Sequence, residues 1–188
     1  MSKTKPQRGR GLGLQKMRQE IELASQMIRL GAPLGIIVKE TALDKQRLSR
    51  LYRELMNKKP PGGMLPFSSE WYLGWLPNIH ATVFYTAYLF LNICCKVERR
   101  QALVNGYQLY LEYATAGRPE GKQERPVLSF SRAWLLLRYV ELRLFDLAIC
   151  RACHGSFLAP TYLARWQFVC GICKPPNRAG PRLADRKQ

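Results

Sequence analysis

Apolar residues recur at three- and four-residue steps along most of this chain, so helices are the predicted element almost throughout. Ile21, Ala24, Met27 and Ile28 place a helix over Met17–Leu30, with Gly31 as its stop and Pro33 suited to the first turn of the next helix. That second helix is short, Pro33–Glu40. A turn over Thr41–Asp44, in which Asp44 is a good N-cap, opens a third over Lys45–Met56, with Leu48, Leu51, Tyr52 and Leu55 inward. The Pro- and Gly-rich stretch Lys58–Pro66 closes this N-terminal unit. Beyond it, Ser68 or Ser69 caps a short helix carrying Trp71, Tyr72 and Trp75, which Pro77 breaks. Asn78 then caps a long apolar helix reaching about Lys96. Its aromatics Phe84, Tyr85, Tyr88 and Phe90 lie on more than one face, as in a helix buried in a domain or a subunit interface. Glu98–Tyr113 is a further helix with Leu103, Tyr107, Tyr110 and Leu111 inward, and Gly117–Pro126 is a polar loop. A last helix, Leu128–Ala148, steps through Phe130, Trp134, Leu137, Val140, Leu144 and Leu147 and delivers the chain to Cys150.

Four cysteines then change the picture. Cys150-x2-Cys153 and Cys170-x2-Cys173 stand sixteen residues apart, the spacing of a structural zinc site. Zn²⁺ takes four soft ligands in a tetrahedron, and four thiolates leave no open position for a catalytic water. One structural ion per chain is therefore expected, with Arg151 and Lys174 placed to offset the −2 charge of a Zn(Cys)₄ centre. His154 is a possible substitute ligand. Disulfides need an oxidising compartment, and no export signal is evident; a redox dithiol needs a strand–helix context, which is not predicted before Cys150. Cys94 and Cys95 lack ligand spacing and read as core thiols, and His80 reads as structural.

Charge adds a partner class. The 188 residues carry 30 Lys and Arg against 13 Asp and Glu, a net +17, which points to a polyanion, either nucleic acid or an anionic membrane surface. Trp71–Cys95 contains no charged residue, but Gly74, Pro77, Asn78 and His80 interrupt it, so no membrane span and a cytoplasmic, reducing location are expected. No phosphate-binding Gly loop, metal-ligating His pair or nucleophile elbow is present, so the chain is not expected to be an enzyme. The expected fold class is all-α with a small C-terminal four-cysteine zinc ribbon, organised as a basic disordered arm (1–18), a helical domain (19–148), a zinc-binding module (149–176) and a basic tail (177–188). Within the helical domain, residues 33–56 have a helix-turn-helix-like layout whose second helix presents Lys45, Arg47, Arg50 and Arg53 for phosphates or guanine edges. The plainer reading of the same segment is a helical hairpin with a solvated basic face.

The stretches GGMLPFSSEWYLGWLPNIHATVF (Gly62–Phe84) and SFSRAWLLLRYVE (Ser129–Glu141), with CGICKPPNRAG (Cys170–Gly180), resemble FlhC, the C-subunit family of the bacterial flagellar master transcriptional activator. The likeness covers roughly Glu20–Gly180. It implies a mostly helical protein with zinc on Cys150, Cys153, Cys170 and Cys173. It also implies assembly with an FlhD subunit, binding to flagellar promoter DNA and recruitment of RNA polymerase. Two other readings stay open: a zinc-ribbon protein that binds RNA or DNA without reading sequence, and a thiol redox sensor.

Overall fold

The computed structural model describes residues 13–62, 64–116, 125–163 and 168–177. Most of the expected basic arm and tail, and most of the polar loop, lie outside the described residues. The described chain is mostly helical and closes with a β-hairpin. Three N-terminal helices, α1 (Leu14–Arg29), α2 (Leu34–Glu40) and α3 (Lys45–Met56), fall close to their expected bounds. Asp44 caps α3 as anticipated, its carboxylate accepting the Arg47 N–H at 2.9 Å. Leu48 and Tyr52 are fully inward, whereas Leu51 and Leu55 are half-buried.

The middle of the chain departs from expectation. Residues Glu70–Leu73 form a 3₁₀ turn, and Ser69 makes no side-chain cap there. α4 (Trp75–Leu89) begins before Pro77, which is tolerated because the first turn of a helix leaves N–H groups unpaired anyway. Asn78 is thus inside the first turn rather than capping it. A π-helical turn, Phe90–Cys94, ends this segment, and Lys96 adopts the left-handed conformation (φ 56°). Cys94 and Cys95 are exposed there, not core thiols.

α5 (Arg99–Thr115) runs back along α4, capped by Glu98. The two helices approach closely because Gly106 faces the Tyr88 backbone, where an added Cβ would lie 3.2 Å from Tyr88 Cα. Leu103, Tyr107 and Tyr110 are buried as expected. Tyr107 Oη donates to the Leu128 carbonyl and Tyr110 Oη accepts the Leu128 N–H, both at 3.0 Å, so the buried hydroxyls are paired. His80 Nδ1 lies 3.0 Å from Tyr110 Oη, a structural role.

α6 (Phe130–Glu141) is shorter than expected. Arg143 takes the left-handed conformation (φ 61°), and Leu144 N–H bonds back to the Tyr139 carbonyl at 2.9 Å, a Schellman-type stop. Leu144 and Leu147 continue the helical spacing of apolar residues, yet they fall past that stop. In place of the last helical turns stands β1 (Phe145–Ile149), paired antiparallel with β2 (Ser156–Pro160) in the register Leu147 to Leu158. The hairpin turns through the first cysteine pair rather than filling the interval between the two pairs.

Two buried carboxylates bind the N-terminal helices to this body, and the sequence pattern gave no sign of them. Glu40, the last residue of α2, has a side chain 3% exposed. Its carboxylate accepts Trp134 Nε1 at 2.6 Å, Arg138 Nη2 at 2.9 Å and Arg99 Nη1 at 3.0 Å. Glu20, 5% exposed at its side chain, accepts Arg100 Nη1 at 3.0 Å and the Ala42 N–H at 2.8 Å. Burial pushes the Glu20 carboxyl up, but the Ala42 N–H and Arg100 outweigh it and leave the group below its usual value. Glu141 is likewise lowered, burial being opposed by its bonds from Arg99 and Arg138. A lowered folded-state pKa contributes stability above the unfolded value of 4.5 and loses it as pH falls through the folded value. Melting temperature should therefore fall as buffers are taken below pH 4.5, and a flat acid profile would contradict this network.

Candidate metal centre and basic surface

Each cysteine pair is built as a short knuckle. In the first, the His154 N–H bonds to the Cys150 carbonyl at 2.9 Å, with His154 in the left-handed conformation (φ 58°). In the second, the Lys174 N–H bonds to the Cys170 carbonyl at 3.0 Å. The same hydrogen bond closes both turns, and the Arg151 N–H reaches the Phe168 carbonyl at 3.0 Å to bring them together. The four sulfurs of Cys150, Cys153, Cys170 and Cys173 consequently lie within 4.8 Å of one another.

This donor set fits a tetrahedral thiophilic ion. Sulfurs about 2.3 Å from a central zinc stand about 3.8 Å apart along each tetrahedral edge, and Cys153 Sγ lies 3.8 Å from Cys170 Sγ. Cys150 Sγ accepts the Cys170 N–H at 3.3 Å and the Ala152 N–H at 3.4 Å; Cys170 Sγ accepts the Cys173 N–H at 3.4 Å. Backbone donors of this kind stabilise thiolate, and led by the Cys170 N–H they draw the Cys150 thiol down to about 6. Cys173 is pushed up to about 12 by its bonds with the Cys153 and Cys170 sulfurs. Four thiols this close cannot all ionise together without a cation among them. Cys150 and Cys170 are buried, Cys153 and Cys173 exposed, and His154 is not part of the cluster.

The cluster is fastened to α4. Trp75 Nε1 donates to the Gly171 carbonyl at 2.7 Å. Asn78 Nδ2 donates to the Leu158 carbonyl at 2.9 Å, and Thr82 Oγ1 accepts the Leu158 N–H at 3.0 Å. These polar side chains satisfy one edge of β2, which would otherwise be left unpaired. Their spacing of four along a helix was visible in sequence, but not what they would meet. At Gly171 an added Cβ would stand 2.7 Å from Trp75 Cδ1. Gly171→Ala should therefore displace the indole and lose its hydrogen bond, costing about 1–3 kcal/mol, a loss that chemical denaturation would measure.

The expected nucleic-acid residues stand on α3 and take no part in the cysteine cluster. Lys45, Arg47, Arg50 and Arg53 are all exposed along α3. Arg47 is partly engaged, with its Nε 3.3 Å from Asp44 and its Nη1 3.5 Å from Met17 Sδ. Among the described residues no helix is long and apolar enough to cross a membrane.

The described chain is thus mostly helical and strongly basic, with four clustered cysteines that could hold a metal ion. Residues 13–186 match the family model described as flagellar transcriptional activator, FlhC, and the chain belongs to that family. It is 41% identical over 162 residues to the flagellar transcriptional regulator FlhC of Paraburkholderia atlantica, covering 86% of this chain and 73% of that one. To the FlhC regulator of Serratia marcescens it is 40% identical, covering 89% and 87%. To that of Proteus mirabilis it is 42% identical, covering 86% and 81%.

Proposed function

We propose that the chain is the DNA-binding subunit of a flagellar promoter activator, holding one structural Zn²⁺ on Cys150, Cys153, Cys170 and Cys173. The observation that carries the zinc assignment is the sulfur cluster, whose 3.8 Å Cys153–Cys170 separation matches a tetrahedral edge. DNA binding is supported by the family, by the net charge of +17, and by the exposure of Lys45, Arg47, Arg50 and Arg53 on one short helix preceded by a tight turn. In this reading α3 enters the major groove and Arg50, which has no side-chain ion pair among those described, contacts a base or phosphate. Arg50→Ala should weaken promoter binding by about 1–3 kcal/mol if it reads a base. Quantitative gel shifts on promoter and scrambled duplexes separate the cases. A loss confined to the promoter marks a base contact, an equal loss on both marks a phosphate contact, and no loss on either moves the reading surface away from α3.

The resemblance also implies assembly with FlhD and recruitment of RNA polymerase; a cytoplasmic setting is proposed with them, since a transcriptional regulator meets its promoter there. Exposed apolar side chains support a partner subunit. Leu76 on α4 and Phe90 and Ile93 on the π-helical turn after it are roughly half exposed, and the stretch from Trp71 to Cys95 carries no charged residue. Apolar surface of this kind is suited to a subunit interface. Co-migration of this chain with FlhD in gel filtration tests the pairing; separate elution at micromolar concentration would exclude it.

A further inference from the structure

Two carboxylates, Glu40 buried and Glu141 half-exposed, sit where the basic helix and the cysteine module are both rooted. Glu40 ends α2 immediately before the turn to α3, and Glu141 ends α6 immediately before the turn to β1 and Cys150. The same two arginines join them. Arg99 Nη1 donates to Glu40 at 3.0 Å while its Nη2 donates to Glu141 at 2.9 Å. Arg138 Nη2 donates to Glu40 and its Nη1 to Glu141, each at 2.9 Å. The turn between α2 and α3 is held as well: Glu20 accepts the Ala42 N–H, and Arg100 Nη1 reaches both Glu20 and the Glu40 carbonyl at 3.0 Å. Three carboxylates, Glu20, Glu40 and Glu141, thus face three guanidinium groups, Arg99, Arg100 and Arg138.

A purely apolar contact would hold these helices together with less directional control. Hydrogen-bonded ion pairs with buried members add little net stability over an apolar contact of similar volume, but they permit few relative orientations. On the DNA-binding reading above, that restriction has a use. We propose that Glu40 is a positioning residue that, through Arg99 and Arg138, fixes the angle between the α2–α3 unit and the cysteine module, so that α3 and the knuckle bearing Arg151 engage one duplex at a set spacing. Arg151 and Lys174 are exposed on the knuckles and give that module its own cationic contact. Neither Glu40 nor Glu141 touches DNA in this arrangement; both act through the helices they end.

The test uses the full chain assembled with its partner subunit. Footprints of Arg50→Ala and Arg151→Ala first locate the promoter segments whose protection depends on each. About five base pairs, half a helical turn, are then inserted between the two segments. Wild-type affinity should fall about tenfold or more on insertion, because the second segment is rotated out of reach. Glu40→Gln should bind the native promoter more weakly and lose much less than tenfold on insertion. A merely structural role for Glu40 would lower both affinities together and leave their ratio as in wild type, and that result would overturn the proposal. If Glu40→Gln does not fold, Glu141→Gln at its half-exposed position releases the same arginines and must relax the ratio in the same way. A wild type that ignores the insertion would overturn the two-contact reading itself, and the positioning role with it.

Discussion

Stripping the metal, or replacing Cys150 with Ser, should unfold the knuckles and abolish promoter binding while most of the helical circular dichroism survives. The knuckles place Cys150 and Cys170 in the interior but few other apolar side chains, and their turns are closed by single backbone hydrogen bonds. A structural zinc contributes about 10–16 kcal/mol of apparent binding energy at neutral pH, far more than those contacts supply. The helices rest on a different foundation. Phe84, Leu103, Tyr107, Phe130 and Leu137 form a core in which no cysteine takes part. β2 is held to α4 by Asn78 and Thr82, so the hairpin should stay docked after the knuckles open. Cobalt substitution reports the site through thiolate charge-transfer absorption, and chelation followed by far-ultraviolet circular dichroism reports the core. Loss of the whole helical signal on chelation would show that core and module unfold as one unit. An unchanged fold and unchanged DNA affinity would remove the structural metal from the account.

Glu40→Ala should cost about 3 kcal/mol of stability, the low end of the 3–5 kcal/mol expected when one member of a buried ion pair is removed. The substitution strands the Trp134 indole N–H and leaves Arg99 and Arg138 with Glu141 alone. Both arginines are about a third exposed, which limits the penalty because water can reach them. Trp134 is also flanked by Arg138 and by Lys39, whose Nζ lies 5.3 Å from the ring centroid, so positive charge gathers on the indole once the carboxylate is gone. Urea denaturation of the two proteins measures the difference. A change within experimental error would mean that the interface between the N-terminal helices and the body rests on apolar packing alone.

Helices with ordinary signals were legible from sequence. α1, α2 and α3 fall close to their expected bounds because Asp44 is a strong cap and the apolar spacing is clear. The long apolar helix also ends close to the expected Lys96, but the end of α6 was missed, because Arg143 takes a left-handed conformation that L-residues adopt at some cost and nothing in its identity announces it. The apolar spacing through Leu144 and Leu147 also continues past the true end of α6, because a strand with one covered face can by chance share positions with a helical stripe. The clustering of the four cysteines was legible from their spacing alone, since ligand chemistry is local. Their attachment through Trp75, Asn78 and Thr82 joins segments far apart in sequence. The Glu40 and Glu20 networks were invisible for the same reason. An acid on a helix reads as a solvated charge until the fold brings arginines to it, Arg99 and Arg138 to Glu40 and Arg100 to Glu20.

The central claim is sequence-specific, charge-driven binding to promoter DNA by a metal-held regulator. Titrating labelled flagellar promoter with the zinc-loaded chain and its FlhD partner, over a series of salt concentrations and against random duplex and structured RNA, tests it most directly. The account predicts preference for the promoter over both competitors, with log affinity falling against log salt by about 0.9 per phosphate neutralised. Equal affinity for all three nucleic acids, or an affinity indifferent to salt, would contradict it.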